Sequence, residues 1–259
     1  MYDRIFAGTF DLTVLVLYAF FAFFGALVLY LLREGRREGF PLEHDVTGRL
    51  ESVPDIMLSA EAKTFILPTG GSVQKPDGLR DVHVVNLRRT AAWSGSPFEP
   101  EGDPMTAGVG PGAYAMRADR PDVSSHGETR LAPLRIAGDY HIDARDPDLR
   151  GMTIFGVDGV AGGVVSDIWV DRAEFLVRYL EIAPTGAVPG HTVLIPMAMC
   201  TLNRKARNVS TDSVRGDQIA GAPTLANPTQ VTLREEERIV AYYGAGYLYA
   251  SPKRSEPVL

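Results

Sequence analysis

The stretch Leu12–Leu32 limits this chain more than any other: LTVLVLYAFFAFFGALVLYLL, twenty-one residues without a charge. As a helix it reaches roughly 31 Å, the thickness of a bilayer's hydrocarbon core. A core helix of a soluble protein this long keeps a polar face, and this one has none. A cleaved leader needs a basic start, a shorter apolar run and a small-residue cleavage site. Here the start carries Asp3, Arg4 and Asp11, and the run ends in Arg33, Glu34, Arg36 and Arg37, a stop-transfer flank. The expectation is a transmembrane helix over 12–32. One basic residue precedes the span and three follow it closely. The positive-inside rule therefore puts residues 1–11 outside and residues 33–259 in the cytoplasm. Arg33, Arg36 and Arg37 set this topology and are the candidate lipid-interface residues.

Beyond the span, composition excludes several classes of function. The net charge of −6 lacks the basic excess of a nucleic-acid binder, so no nucleic-acid partner is expected. The single cysteine, Cys200, cannot form an internal disulfide or a cysteine cage for zinc or iron–sulfur. In the cytoplasm it stays a thiol, and the sequon at Asn208 stays unmodified.

The remainder divides in two. Residues 41–133 hold ten of the eighteen prolines, which remove backbone donors and break helices. Residues 33–133 therefore read as an extended, loop-rich segment, with short strands expected at Lys63–Pro68 and Asp81–Asn86. So long a loop-rich stretch is easiest to understand along the surface of a partner. Residues 134–259 read as a mainly-β domain followed by a helix. Strands are expected at Gly151–Phe155, Gly163–Asp171, Phe175–Ile182, His191–Ile195, Met197–Leu202 and Asn208–Ser210, forming a small antiparallel barrel or sandwich. Thr232-Leu-Arg-Glu235 fits a capping box, with Ile239, Val240, Tyr243 and Tyr247 as the apolar face of a C-terminal helix that Gly244 and Gly246 weaken. Pro252–Leu259 is expected to fray.

Catalytic signatures are absent: there is no phosphate loop and no Gly-x-Ser-x-Gly elbow. The glycines of Gly108-Val-Gly110-Pro-Gly112 predict a rigid turn, not a dinucleotide site. His44, His83, His126, His141 and His191 are scattered, with no His-x-x-x-His pair for a metal, and the span has no histidine to ligate a haem or chlorophyll. What stands out is acid: Asp119, Asp122, His126 and Glu128 within ten residues, then Asp167, Asp171 and Glu174 with Arg178 nearby. Asp167 and Asp171, four apart in a strand, are expected to share a face. Such residues form either a solvated acidic surface or, where partly buried, a proton pathway. Spacing alone leaves both open.

Several segments together resemble the H subunit of the purple-bacterial photosynthetic reaction centre. They include Phe10-Asp11-Leu12, Arg37-Glu38-Gly39-Phe40-Pro41-Leu42-Glu43 and Lys63-Thr64-Phe65-Ile66-Leu67-Pro68. Further along come Gly102-Asp103-Pro104-Met105, Gly108-Val109-Gly110-Pro111 and Asp167-Ile168-Trp169-Val170-Asp171. The set closes with Val231-Thr232-Leu233 and Ser251-Pro252-Lys253-Arg254. Residues 149–222 are similar to a PRC-barrel. The resemblance implies a non-enzymatic, single-pass subunit of the inner (intracytoplasmic, chromatophore) membrane, with its N-terminus periplasmic. It would cap the L and M subunits on the cytoplasmic side, shield the secondary quinone and help deliver protons to it. Bacteriochlorophylls, bacteriopheophytins, quinones and non-haem iron would belong to the partner subunits. A cytochrome subunit, a light-harvesting antenna and membrane lipids are further neighbours such complexes have. PRC-barrels also serve as membrane-tethered adaptors with no role in electron transfer, but an adaptor has no need of the matches from Phe10 to Pro111.

The resemblance also implies site residues. His126 matches a histidine at the family's proton-uptake point. Glu128 stands where some relatives have a second histidine, and Ser124 where they have aspartate, so the uptake point is altered and inhibition by transition metals should be weaker. Asp122 occupies an acidic position. Asp171, Glu174 and Arg178 match the charged group beneath the quinone, with Arg178 expected to keep one carboxylate ionised while clustering protonates another.

Overall fold

The computed structural model describes residues 11–40, 42–50, 60–68, 70–79 and 86–255. They fall into two compact units, Met1–His83 with Ala91–Ser96, and Val84–Thr90 with Pro97–Leu259.

The first unit is built on helix α1, Leu12–Gly35. Asp11 caps it, its side chain accepting from the Thr13 amide at 2.9 Å. Among the described residues nothing buries any residue of α1. Strands β1 (Lys63–Ile66) and β2 (Ser72–Lys75) form a hairpin with Phe65 opposite Val73 and Ile66 opposite Ser72. Pro68 ends the first strand, and Gly70 and Gly71, both at positive φ, reverse the chain. Of the strand expected at Asp81–Asn86, residues 81–85 lie outside the described residues and Asn86 is not in a strand.

The second unit opens with the pair β3 (Leu87–Arg89) and β4 (Phe98–Pro100). Its centre is a seven-stranded sheet of β5 (Leu131–Pro133), β6 (Thr153–Phe155), β7 (Ala161–Asp171), β8 (Leu176–Pro184), β9 (Val193–Pro196), β10 (Cys200–Asn203) and β11 (Asn208–Thr211). The order is β10-β11-β6-β7-β8-β9, with β5 on the far end of β7. A three-residue 3-10 turn, Met197–Met199, joins the two outermost strands, so the sheet curls until its edges are close in the chain. The sheet is not wholly antiparallel as expected: β11 runs parallel to β6.

Ile154, Ile168, Trp169, Leu180, Ile182, Ile195 and Val209 fill the curl, and Ile239 and Tyr243 close it from helix α2, Leu233–Tyr249. Each such side chain contributes about 1.5–3 kcal/mol on burial. The capping box forms as read: the Glu235 amide donates to Thr232 Oγ1, and the Thr232 amide to Glu235 Oε2. The buried face is different. Ile239, Tyr242, Tyr243 and Gly246 turn inward, a cleaner helical stripe, while Val240 and Tyr247 stay exposed. Gly244 and Gly246 are packing devices: a Cβ at Gly244 would meet the Pro111 carbonyl at 2.9 Å, and one at Gly246 the Ser213 carbonyl at 2.6 Å. The rigid Gly110–Gly112 turn therefore lies directly on the helix.

Two further expectations change. The proline-rich stretch is not uniformly extended, because its turns deliver Met105, Ala107, Val109, Leu131 and Ala132 as buried residues of the second unit. The tail is not free at Arg254, which donates to the carbonyls of Ser213 (3.1 Å) and Gly246 (3.2 Å). Residues 256–259 lie outside the described residues.

The tightest backbone approach gives a stability prediction. A Cβ on Gly156 would lie 2.1 Å from the Gly216 nitrogen. Gly156→Ala is expected to cost about 3 kcal/mol, the upper range for overpacking, since backbone and not a flexible side chain must move. Urea unfolding of the detergent-solubilised chain checks this; an unchanged midpoint would contradict it.

Candidate functional site

The site forms where β7 ends. β5 pairs with that end so that Leu131 faces Asp171, which sets Arg130 beside the Asp171 carboxylate. Register shifts at Val165/Asp167 and at Trp169/Val170 break the strand's alternation. The Asp171 side chain is wholly buried. Its Oδ1 accepts from the amides of Ala173 (3.0 Å) and Glu174 (3.1 Å), fixing the turn into β8. Phe175 completes that turn at φ 57°. Arg130 Nε lies 3.1 and 3.0 Å from the two Asp171 oxygens, and Arg130 Nη2 bonds Glu174. Asp122 stands 3.5 Å from Arg130 Nη1. Arg178 Nη2 reaches Asp171 at 3.5 Å and Glu174 at 3.8 Å. Three carboxylates thus share two guanidiniums, with Arg130 as the hub.

The electrostatics follow from these contacts. Burial pushes the Asp171 carboxyl up, but Arg130 and the two turn amides outweigh it, and the net shift is downward. Asp171 is held ionised, chiefly by Arg130 and not by Arg178. The acid that moves the other way is Glu236 in the first turn of α2. Burial raises it, against the Tyr179 hydroxyl and Arg178, with Asp122 adding to the rise. Tyr179 Oη donates to Glu236 Oε2 at 3.1 Å. Arg178 and Arg130 are both within electrostatic reach of Glu236, so it adjoins the cluster.

Of the residues expected from sequence, the structure brings together Asp122, Asp171, Glu174 and Arg178. His126 and Glu128 sit apart on an exposed hairpin tip closed by the Val123–Thr129 bridge. The tip is still tied to the cluster: Arg172 Nη1 is 3.6 Å from Glu128 Oε2, and the Arg172 amide donates to the Arg130 carbonyl at 2.9 Å. Asp119 belongs to the helix cap, accepting from Thr232 Oγ1 at 2.9 Å and pairing with Arg234.

Asp167 and Asp171 do not join one group. Asp167 pairs across the sheet with Glu181, and both carboxylates bind Arg135 Nη1, at 2.9 and 2.6 Å. Trp169 Nε1 donates to the same Glu181 oxygen at 2.8 Å.

Sequence reasoning missed Arg130, Arg172, Tyr179 and Glu236. Only Glu236 carried a signal, as an acid on the same helical face as Ile239 and Tyr243.

Among the described residues no group of histidine, cysteine or carboxylate side chains could hold a metal ion. Cys200 is a packing residue; burial raises its thiol to about 12. The three arginines after the span differ. Arg37 is a latch, 8% exposed, donating to Glu34 at 2.8 and 2.9 Å and to the carbonyls of Glu61 and Lys75. Arg33 keeps a 3.4 Å contact to Glu61, and Arg36 lies over the Phe40 ring. Of the three candidate lipid-interface arginines, Arg37 is thus spent on contacts within the chain.

Two family models match this chain. The photosynthetic reaction centre H-chain N-terminal region covers residues 4–136, just over half of the 259, and includes α1, the hairpin and Arg130. The PRC-barrel domain covers residues 142–218, which hold β6 to β11 and the Asp171–Arg178 turn. With one helix among the described residues long and apolar enough to cross a membrane and a curled β-sheet in the second unit, the chain belongs to the photosynthetic reaction centre H-chain family, as a membrane-anchored subunit with a PRC-barrel.

Proposed function

We propose that this subunit caps the cytoplasmic face of L and M partner subunits, shields a secondary quinone held by them, and passes protons toward it. The observation that carries this reading is the Arg130-centred cluster, in which an acid excess adjoins a carboxyl raised by burial. A quinone bound by the partners gathers negative charge as it takes up electrons. In a low-dielectric setting such charge favours proton uptake by nearby carboxylates. Glu236 suits that task as the acid that burial shifts toward its protonated form. Glu174 is half-exposed between Arg130 and Arg178 and can exchange protons with water. Asp171, held ionised, fixes Arg130 and hence the geometry. Protons would be taken up at the His126–Glu128 tip, with Arg172 joining the tip to the cluster. Bacteriochlorophylls, bacteriopheophytins, quinones and non-haem iron belong to the partners in this reading. The arginines after the span favour a periplasmic N-terminus.

Glu174→Gln tests the proposal. Glutamine keeps the shape and hydrogen-bonding capacity but has no titratable proton to pass on at neutral pH. The second electron transfer to the quinone is expected to slow about tenfold, below the usual hundredfold for losing a proton-transfer group because Glu236 and water remain. The first transfer should be unaffected. Flash kinetics on the purified complex reads both, and an unchanged second transfer would count against the role of Glu174.

A further inference from the structure

Phe175 stands where neither packing nor backbone favours it. The residue is 78% exposed, and its backbone sits in the left-handed region at φ 57°. A bulky side chain is costly there, and asparagine or glycine would relieve the strain. A residue kept against local preference, in a conformation that its surroundings enforce, points to function.

The surroundings do enforce it. The Phe175 amide donates to the Asp171 carbonyl at 2.8 Å, closing the turn that the buried Asp171 side chain already holds through the Ala173 and Glu174 amides. The ring stacks on Tyr140, with centroids 5.9 Å apart and 29° between the planes. Tyr140 Oη in turn donates to the Arg172 carbonyl at 2.9 Å. One face of the Phe175 ring thus rests on a fixed support and the rest is open. An aromatic side chain held in this way loses little freedom when a partner closes over it. Around it Leu176 is exposed, and Glu174 and Arg178 are half-exposed. An apolar centre within a charged rim is the anatomy of an interface hot spot.

Charge decides what can close over the ring. In the adjoining cluster the carboxylates of Asp122, Asp171 and Glu174 outnumber the guanidiniums of Arg130 and Arg178. An anionic membrane surface, or the same turn of a second copy, would set like charge against like. A protein pocket with an apolar floor and a rim of cationic groups or N–H donors complements this turn.

We infer that Phe175 is the anchor by which this turn docks on a partner subunit, its ring filling an apolar pocket whose rim is basic or rich in donors. The contact places Glu174, its neighbour in the chain, at the edge of the interface. This inference rests on the docking proposed above and is independent of the proton route.

The test titrates the full chain in detergent onto the purified L and M pair lacking it. Phe175→Asn is expected to weaken binding about thirtyfold, the scale that marks a hot spot. Its urea midpoint should hold or rise, because relief of the left-handed backbone offsets the lost stack on Tyr140. Phe175→Leu, which keeps an apolar side chain, should recover most of the binding. Val188→Asn, which removes another exposed apolar side chain, should bind as wild type. A benzophenone photo-crosslinker placed at position 175 should join L or M. Wild-type affinity in Phe175→Asn, or a crosslink formed only within the chain, to a second copy or to lipid, would overturn the inference and leave the docking reading standing. A wild-type chain that does not bind the pair would overturn both.

Discussion

Arg130→Met is expected to destabilise the second unit by about 3 kcal/mol at neutral pH, the lower end of the range for removing one partner of a buried ion pair. Asp171 is wholly buried, and Arg130 is its main counter-charge. The lower end applies because the turn amides and Arg178 remain on Asp171. The pH dependence distinguishes this from lost packing. In the wild-type chain the Asp171 carboxyl is held below its ordinary range. Its contribution is therefore present above the unfolded value, about 4, and is lost as pH falls through the folded one. Without Arg130, burial is opposed only by the turn amides and Arg178, and the carboxyl moves up. The variant therefore draws less stability from the ionised carboxylate as pH rises. The gap between the two proteins should be wide at pH 8 and narrow toward pH 4. Glu236, raised in the wild-type chain and opposed in that rise by Arg130 among others, moves further up in the variant, which adds to the gap as pH rises. Urea unfolding followed by fluorescence, with Trp169 buried in the core as one reporter, measures this. A gap that does not change with pH would assign Arg130 to packing alone.

The features legible in the sequence were the local ones. The span was plain because an uncharged helix of bilayer length has few other uses. The Thr232–Glu235 box was plain because a cap is set within four residues. Asp171, Glu174 and Arg178 could be expected together because one turn joins them. The hub could not be foreseen: Arg130 reaches Asp171 only because β5, three residues long, pairs with the far end of β7 across forty residues of chain. The same cause separates Asp167 from Asp171. Strand alternation puts them on one face, but the register shifts between them, and Arg135 and Arg130 then claim one carboxylate each. The buried face of α2 differs from the apolar pattern of Val240 and Tyr247, because packing against the Pro111 and Ser213 carbonyls selects the side where glycines permit close approach.

The largest functional effect is expected from Glu174→Gln combined with Glu236→Gln. Sequence reasoning would pair Glu174 with Asp171, but Asp171 is pinned in its ionised form and serves to hold Arg130. Glu236 is the neighbouring acid that burial raises, and it joins from a different element, α2, through the Tyr179 hydroxyl. Either change alone leaves the other carboxyl as a bypass. Both together leave only Asp122 and water, and the second electron transfer should slow about a hundredfold, the ordinary scale for losing acid–base groups. The fold should persist: glutamine at 236 still accepts from Tyr179 Oη, and Asp171 still pairs with Arg130.

The account's central claim is that this cluster carries protons and is more than a charged surface. Flash-induced proton uptake and both electron transfers, recorded on the purified double-variant complex from pH 6 to 9, test it most directly. The claim predicts an unchanged first transfer, with second-transfer and uptake rates that fall together and fall further as pH rises. Uptake and second-transfer rates equal to wild type across that range would contradict it, and would leave these side chains as structural ion pairs at the end of a strand.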